Sequence, residues 1–367
     1  MKEESISLIA EIKDFIEAGN DSEERFGRLA LKLFRYQYEN NVFYKNFCQA
    51  KRKTPFTVHT WEEIPPMPVQ GFKDLTLTCE PAEEAEAVFM TSGTTNPDAK
   101  GKNFHPDLSL WDLSMKGPFK NFVLPDREKM AIFVLSPSDE YNKNSSLSRY
   151  LTNAVFYYGN EYSRFFHNGE GLDFQGAAES LGMMSERGEP VLIMGATYAY
   201  VHFFEFLKEN NQSFLMHEGS RIFDTGGFKG QAKEISPEEM ADHYVRFFGI
   251  EKDLQINMYG MTELSSQIYD QNIHSRFVGK QAITDKSGPV WLKTRVLDPA
   301  TFEPVKEGEA GVLAHYDLAN WNSCLAVLTE DFGLKTGYGF KLLGRVKGSE
   351  ARGCSIAADQ LLSKGGR

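Results

Sequence analysis

Two short constellations in this chain carry residue types suited to phosphate chemistry. Met90-Thr91-Ser92-Gly93-Thr94-Thr95 runs on into Asn96-Pro97-Asp98-Ala99-Lys100-Gly101-Lys102. An apolar run that ends in hydroxyls and a glycine can surround an anion with O–H and backbone N–H donors, while a nearby lysine offsets its charge. It is not a Walker A loop, because Gly-x-x-x-x-Gly-Lys ending at Gly101-Lys102 requires glycine where Asn96 stands. Far downstream lies Ile256-Asn257-Met258-Tyr259-Gly260-Met261-Thr262-Glu263. Tyr259 can stack on a base, Thr262 can donate to a phosphate oxygen, and Glu263 can hold Mg²⁺, which takes hard oxygen ligands from one or two carboxylates plus phosphates. Taken singly, each stretch favours a plainer role, a polar surface turn or a strand end whose tyrosine packs in the core.

The two together, in this order, resemble the adenylate-forming superfamily, and within it the branch of the LuxE-type acyl-protein synthetases and the phenylacetate–CoA ligases. The likeness extends to IPPMPVQGFK, LSPSDEYNKNSSLSRYL, FDTGGFKG, LTEDFG and LLGRVKGSEARGCSI, and covers roughly residues 60 to 356. It implies an α/β fold and a reaction in which a carboxylic acid, fatty in the LuxE-type enzymes, and ATP give acyl-AMP and pyrophosphate, followed by transfer of the acyl group to a thiol. It also implies roles. Thr91, Ser92, Gly93, Thr94 and Thr95, with Lys100 or Lys102 nearby, would wrap the ATP phosphates. Gly226 and Gly227 would let the backbone approach adenine, and Tyr259, followed by Gly260, would stack on it. Thr262 would contact the α-phosphate and Glu263 the Mg²⁺. Asp331 and Arg345 would reach the ribose.

The resemblance places an acylated cysteine near the C-terminus, where Cys354 stands in Ala351-Arg352-Gly353-Cys354. A thiolate attacks an activated carbonyl readily, and Arg352 can favour the thiolate. The expected acceptor is therefore Cys354, which would pass the acyl group to an acyl reductase or another acyl-accepting protein. Coenzyme A as direct acceptor, and a nucleotide-binding protein without turnover, are the alternatives. Two features depart from the pattern. Asn96 occupies a position usually held by glycine, and only 22 residues follow Arg345, so the large C-terminal lid domain of bigger relatives is expected to be lacking. Lys364, in a glycine-rich tail, is not assigned the lid lysine's role.

Composition narrows the rest. The chain has 367 residues with 41% hydrophobic and 25% charged, ordinary globular usage. Its net charge of −11 leaves no basic footprint for nucleic acid. Cys48, Cys79, Cys324 and Cys354 are widely spaced, without metal-cage spacing. The first twenty residues mix acids among apolar residues, unlike a signal peptide, and the apolar run Val191 to Leu207 is interrupted by His202 and Glu205, which points to a strand followed by a helix, not a membrane span. A cytoplasmic protein is the expectation.

The elements that must position these groups are legible in part. Ile6, Ile9, Ile12, Phe15 and Ile16 predict an amphipathic helix, and Phe26, Leu29, Ala30, Leu33, Phe34 and Phe43 continue a helical period beyond Ser22. Prolines 65, 66 and 68 interrupt regular structure near residue 70. Alternating apolar β-forming runs and helical segments then predict an α/β core over residues 71–288, with Ser236-Pro237-Glu238-Glu239 opening a helix through a capping box. Residues 289–367 read as a β-rich subdomain with a short tail, and residues 1–70 as a helical segment. His105 reads as structural, and Phe156, Tyr157, Tyr158, Tyr198, Tyr200, Phe203 and Phe204 suit either an acyl pocket or core filling.

Overall fold

Ala131–Leu135 and Val191–Ala196 are buried at every position, as continuous apolar strands must be when helices cover both faces of a parallel sheet. They belong to the second of two compact units. The computed structural model describes residues 1–20, 22–92, 100–226 and 235–345, with strands β1 to β14 in chain order. Residues 1–115, 261–267 and 285–367 form one unit, and residues 116–260 and 268–284 the other.

The first unit is built on an antiparallel sheet in the order β11 (Leu292–Leu297), β12 (Ala310–Asp317), β13 (Ala326–Thr336), β14 (Gly339–Arg345) and β10 (Lys286–Ser287). β1 (Met67–Pro68) adds in parallel to β13, with Met67 opposite Val327. β2 (Ala87–Met90) and β3 (Lys102–His105) form a separate antiparallel pair in which Met90 faces Lys102. The β-rich character expected of the C-terminal segment is therefore present, with turns and bulges between long strands.

Helices Glu3–Ala18, Glu23–Asn40 and Val42–Ala50 share this unit's core with the sheet. Ser22 caps the second helix by accepting from Arg25 N, which satisfies a donor the helix start leaves orphaned. The predicted stripe of the first helix holds with one exchange: Leu8 is buried, whereas Ile6 is 53% exposed. Phe43 also faces outward at 38% exposure, because the second helix stops at Asn40 and Asn41 caps a new one.

The second unit is doubly wound. Its strands run in the order β9 (Ile268–Asp270), β8 (Gln255–Tyr259), β7 (Arg221–Thr225), β6 (Val191–Ala196), β4 (Ala131–Leu135) and β5 (Arg164–Phe165). All neighbours are parallel except β8 and β9. Helices Ser146–Tyr158, Phe174–Arg187, Thr197–Glu209 and Pro237–Phe248 connect them. The last begins with the expected capping box, Ser236 and Glu239 bonding reciprocally. The run from Val191 is a buried strand followed by a helix, and among the described residues no helix is long and apolar enough to cross a membrane.

Candidate active site

The glycine–hydroxyl loop leaves β2 and returns on β3, and its neck is closed by backbone geometry. Thr91 N donates to Gly101 O at 2.9 Å, and Gly101 N donates to Thr91 Oγ1 at 2.9 Å. Ser92 and Lys100 flank this neck. Gly93, Thr94 and Thr95 lie outside the described residues. The Thr262-Glu263 motif meets the loop here: a Cβ placed on Gly101 would lie 3.1 Å from Thr91 Cγ2, 3.3 Å from Glu263 Oε1 and 3.6 Å from Lys73 Cγ. Gly101 thus lets Thr91 and Glu263 pack tightly at the base of the loop, where a Cβ would require each to give by a few tenths of an ångström, while the Lys73 stem lies at ordinary contact distance. Glu263 is 5% exposed, and a carboxylate so buried needs compensating charge.

A polar network fixes the backbone that carries Glu263. Asn103 Nδ2 donates to Thr262 O at 3.0 Å, and Asn320 Nδ2 donates to Glu263 O at 2.9 Å. Asn320 Oδ1 in turn accepts from Asn103, Ser265 and Ser323. One layer further, Asp317 accepts from Ser265 N at 2.9 Å, Ser266 N at 2.8 Å, Ser266 Oγ at 2.8 Å and Ala319 N at 3.0 Å. Sequence reading missed Asn103, Asn320, Asp317 and Lys73. Asn103 and Lys73 sit inside or beside motif segments, but nothing local marks an asparagine whose partner lies more than a hundred positions away.

Asp317 carries a pH-dependent cost. Burial raises its pKa to about 6 against the opposing hydrogen bonds, above the ordinary value near 4. The folded chain therefore keeps a proton that the unfolded chain releases between those values. This stabilising contribution is complete in acid and is lost as pH rises through about 6. Asp317→Asn removes the titration and sets an amide donor against backbone N–H groups, so it destabilises by about 1–3 kcal/mol near pH 4.5. The gap between wild type and variant should narrow toward pH 7. Urea denaturation of both proteins across that range checks the sign, and a gap that widens with pH would sink the assignment.

Asp331 and Arg345 face each other across β13 and β14, with Arg345 Nε 3.6 Å from Asp331 Oδ1. The two residues expected at the ribose are thus neighbours in the first unit. In the second unit, Gly226 follows β7 with φ of +85°, a backbone conformation that favours glycine, and its carbonyl accepts from Thr197 Oγ1 at 3.2 Å. Tyr259 ends β8, and Gly260 follows it exposed. Both segments lie at the carboxyl ends of parallel strands, where doubly wound sheets bind ligands. Gly227 lies outside the described residues.

The remaining candidates separate cleanly. His105 is buried, with its pKa lowered to about 3 by desolvation, so it is neutral and packs against Phe89. Tyr200, Phe203 and Phe204 fill the second unit's core, whereas Tyr198 and Phe156 are exposed. Cys48, Cys79 and Cys324 are free and buried, and burial raises each thiol pKa, that of Cys48 to about 12. These three are poor nucleophiles at neutral pH. Cys354 lies outside the described residues.

Glu263, a hard and buried carboxylate beside the Thr91–Gly101 neck, is of the ligand type that Mg²⁺ takes.

This architecture is shared with solved ligases. The open conformation of 2-hydroxyisobutyryl-CoA ligase, in complex with 2-HIB-AMP and CoA, superposes with a TM-score of 0.61 at 15% identity, covering 88% of this chain and 75% of that one. The same enzyme in its thioesterification state gives 0.60 at 16% identity, covering 87% and 67%. The fold is that of the adenylate-forming ligases. By sequence, residues 2–363 match the family described as acyl-protein synthetase, LuxE, and the chain belongs to that family. It is similar to the long-chain-fatty-acid–luciferin-component ligase of Vibrio harveyi, 24% identical with 98% of this chain and 96% of the relative covered. The ligase of the same name from Aliivibrio fischeri is 23% identical, with 92% and 88% covered. Family and fold are those the motifs implied.

Proposed function

We propose that this protein activates a long-chain fatty acid with ATP as acyl-AMP and transfers the acyl group to the thiol of Cys354, for delivery to an acyl-accepting protein such as an acyl reductase. The observation that carries this reading is the convergence of Glu263 on the neck of the Thr91–Gly101 loop, in a chain matched by the acyl-protein synthetase family over nearly its whole length.

In the first half-reaction a carboxylate oxygen of the acid bonds to the α-phosphorus, and the bond from that phosphorus to pyrophosphate breaks. Ser92 and the loop residues 93–95 hold phosphate oxygens, with Lys100 offsetting their charge, and Thr262 orients the α-phosphate. Glu263 would hold Mg²⁺, which when bound neutralises charge on the pyrophosphate. Asn103 and Asn320 keep the Thr262-Glu263 backbone from relaxing as that charge builds, the preorganisation that electrostatic catalysis needs. Asp331 and Arg345 are assigned to the ribose, and Gly226, Gly227, Tyr259 and Gly260 to adenine. In the second half-reaction the Cys354 thiolate bonds to the acyl carbonyl carbon and AMP leaves, with the thiol proton passing to solvent.

ATP–pyrophosphate exchange across acids from acetate to long-chain and aromatic acids tests the reading. Exchange should be greatest with long-chain acids. Failure of every acid to support exchange overturns adenylation, and release of acyl-CoA on adding coenzyme A, without acylated protein, replaces Cys354 by coenzyme A. Tyr259→Ala should weaken ATP binding by about 1–3 kcal/mol, the usual scale for a base stacked on an aromatic ring. Calorimetric titration measures this. An unchanged affinity removes Tyr259 from the adenine site.

A further inference from the structure

Lys73 closes the segment IPPMPVQGFK, and no role in the reaction above uses it. Its backbone is firmly held. Val69 N donates to Leu328 O at 3.0 Å, which ties the segment to β13, and Leu75 N donates to Gly71 O at 2.9 Å across the short helix Gly71–Asp74. Phe72 is 1% exposed and anchors that helix in the core. The ammonium is held far more loosely than the backbone. Its hydrogen bond to Gln70 Oε1 is long, 3.4 Å, and among the described residues no carboxylate lies within ion-pair distance of it.

The Lys73 stem crosses the base of the phosphate loop. Its Cγ and Glu263 Oε1 stand 3.6 Å and 3.3 Å from the same point, the position a Cβ on Gly101 would take. A cation on a flexible stem and a buried carboxylate therefore flank one glycine without pairing with each other. A carboxylate by itself repels a triphosphate, so a site that holds one beside a phosphate loop needs positive charge from more than the metal. Lysine supplies that as a mobile point charge with three donors.

We propose that Lys73 is a further substrate-binding residue of the adenylation site: its ammonium contacts phosphate oxygens of ATP at the neck of the Thr91–Gly101 loop and follows the charge onto the leaving pyrophosphate. This rests on the function proposed above. As the acid oxygen bonds to the α-phosphorus and the bond to pyrophosphate breaks, the electron pair departs with pyrophosphate. Lys73 donates hydrogen bonds to the group that gains charge.

Lys73→Gln and Lys73→Arg, each compared with wild type, test the proposal by calorimetric titration with MgATP and by pyrophosphate exchange. The Gln variant should keep the wild-type melting temperature, bind MgATP about tenfold or more weakly, and lose exchange by about tenfold or more at saturating ATP. The Arg variant, which keeps the charge, should recover part of both. Wild-type affinity and exchange in the Gln variant would overturn the proposal. Should Lys73→Gln fail to fold, Lys73→Met keeps the apolar stem and removes only the charge, and loss of folding in both makes the residue structural and also overturns it. If wild type binds MgATP but exchanges with no acid, the adenylation reading falls while the ratio of MgATP affinities still decides Lys73. Absence of MgATP binding by wild type overturns both.

Discussion

Glu263→Gln is expected to reduce ATP–pyrophosphate exchange by about a hundredfold, the scale on which one preorganised electrostatic group contributes to a developing charge. The substitution is nearly isosteric. The backbone carbonyl of residue 263 keeps its bond from Asn320, and that of Thr262 keeps its bond from Asn103. The fold should therefore survive. Because the side chain keeps its shape, the melting temperature of the variant should stay close to that of wild type. The informative measurement is exchange as a function of Mg²⁺ concentration. Loss of activity that excess Mg²⁺ restores in part is the signature of a weakened metal ligand. Near wild-type exchange at low Mg²⁺ would remove Glu263 from the metal site, and a collapsed melting temperature would make it structural.

The second large effect concerns the acceptor. Incubated with ATP, Mg²⁺ and a labelled long-chain acid, wild type should accumulate a covalent acyl group that hydroxylamine releases, because a thioester is cleaved under conditions that leave amides intact. Cys354→Ser should carry no hydroxylamine-labile label while retaining pyrophosphate exchange, since the first half-reaction uses no thiol. The other three cysteines make this a clean comparison. Cys48, Cys79 and Cys324 are buried with thiol pKa values raised by desolvation, so the thiolate each would need scarcely forms at neutral pH. A labile label that persists in Cys354→Ser would place the acceptor elsewhere. Loss of exchange together with the label would mean that residue 354 serves adenylation itself.

Local chemistry made much of this protein legible from its residues. The helix at Pro237 announces itself through Ser236 and Glu239, because a capping box is satisfied within one turn. β4 and β6 are recognisable as unbroken apolar runs, since a parallel strand covered on both faces has no polar side to show. Hydroxyls, glycine and lysine at 91–102 and the acid at 263 name their chemistry by type alone. The resemblance to the family rests on the order of such motifs, in a chain only 23–24% identical to the two relatives.

Tertiary structure decided what depends on partners distant in sequence. Residues 261–267 belong with the first unit although the chain on either side of them belongs to the second. Asp317, Asn320 and Asn103 capture that segment by hydrogen bonds spanning 51 to 159 positions, and no periodicity records such a bond. The same holds for Lys73, the last residue of IPPMPVQGFK, whose stem lies near Glu263 only through the approach of both to Gly101. It holds too for the aromatics, where Tyr200 is buried with its hydroxyl on backbone carbonyls while Tyr198, two residues earlier, faces outward. A side chain's type states which interactions it can make. Only the packing of the whole chain fixes which of them it makes, because the free energy of burying a polar group turns on whether a remote partner arrives to satisfy it.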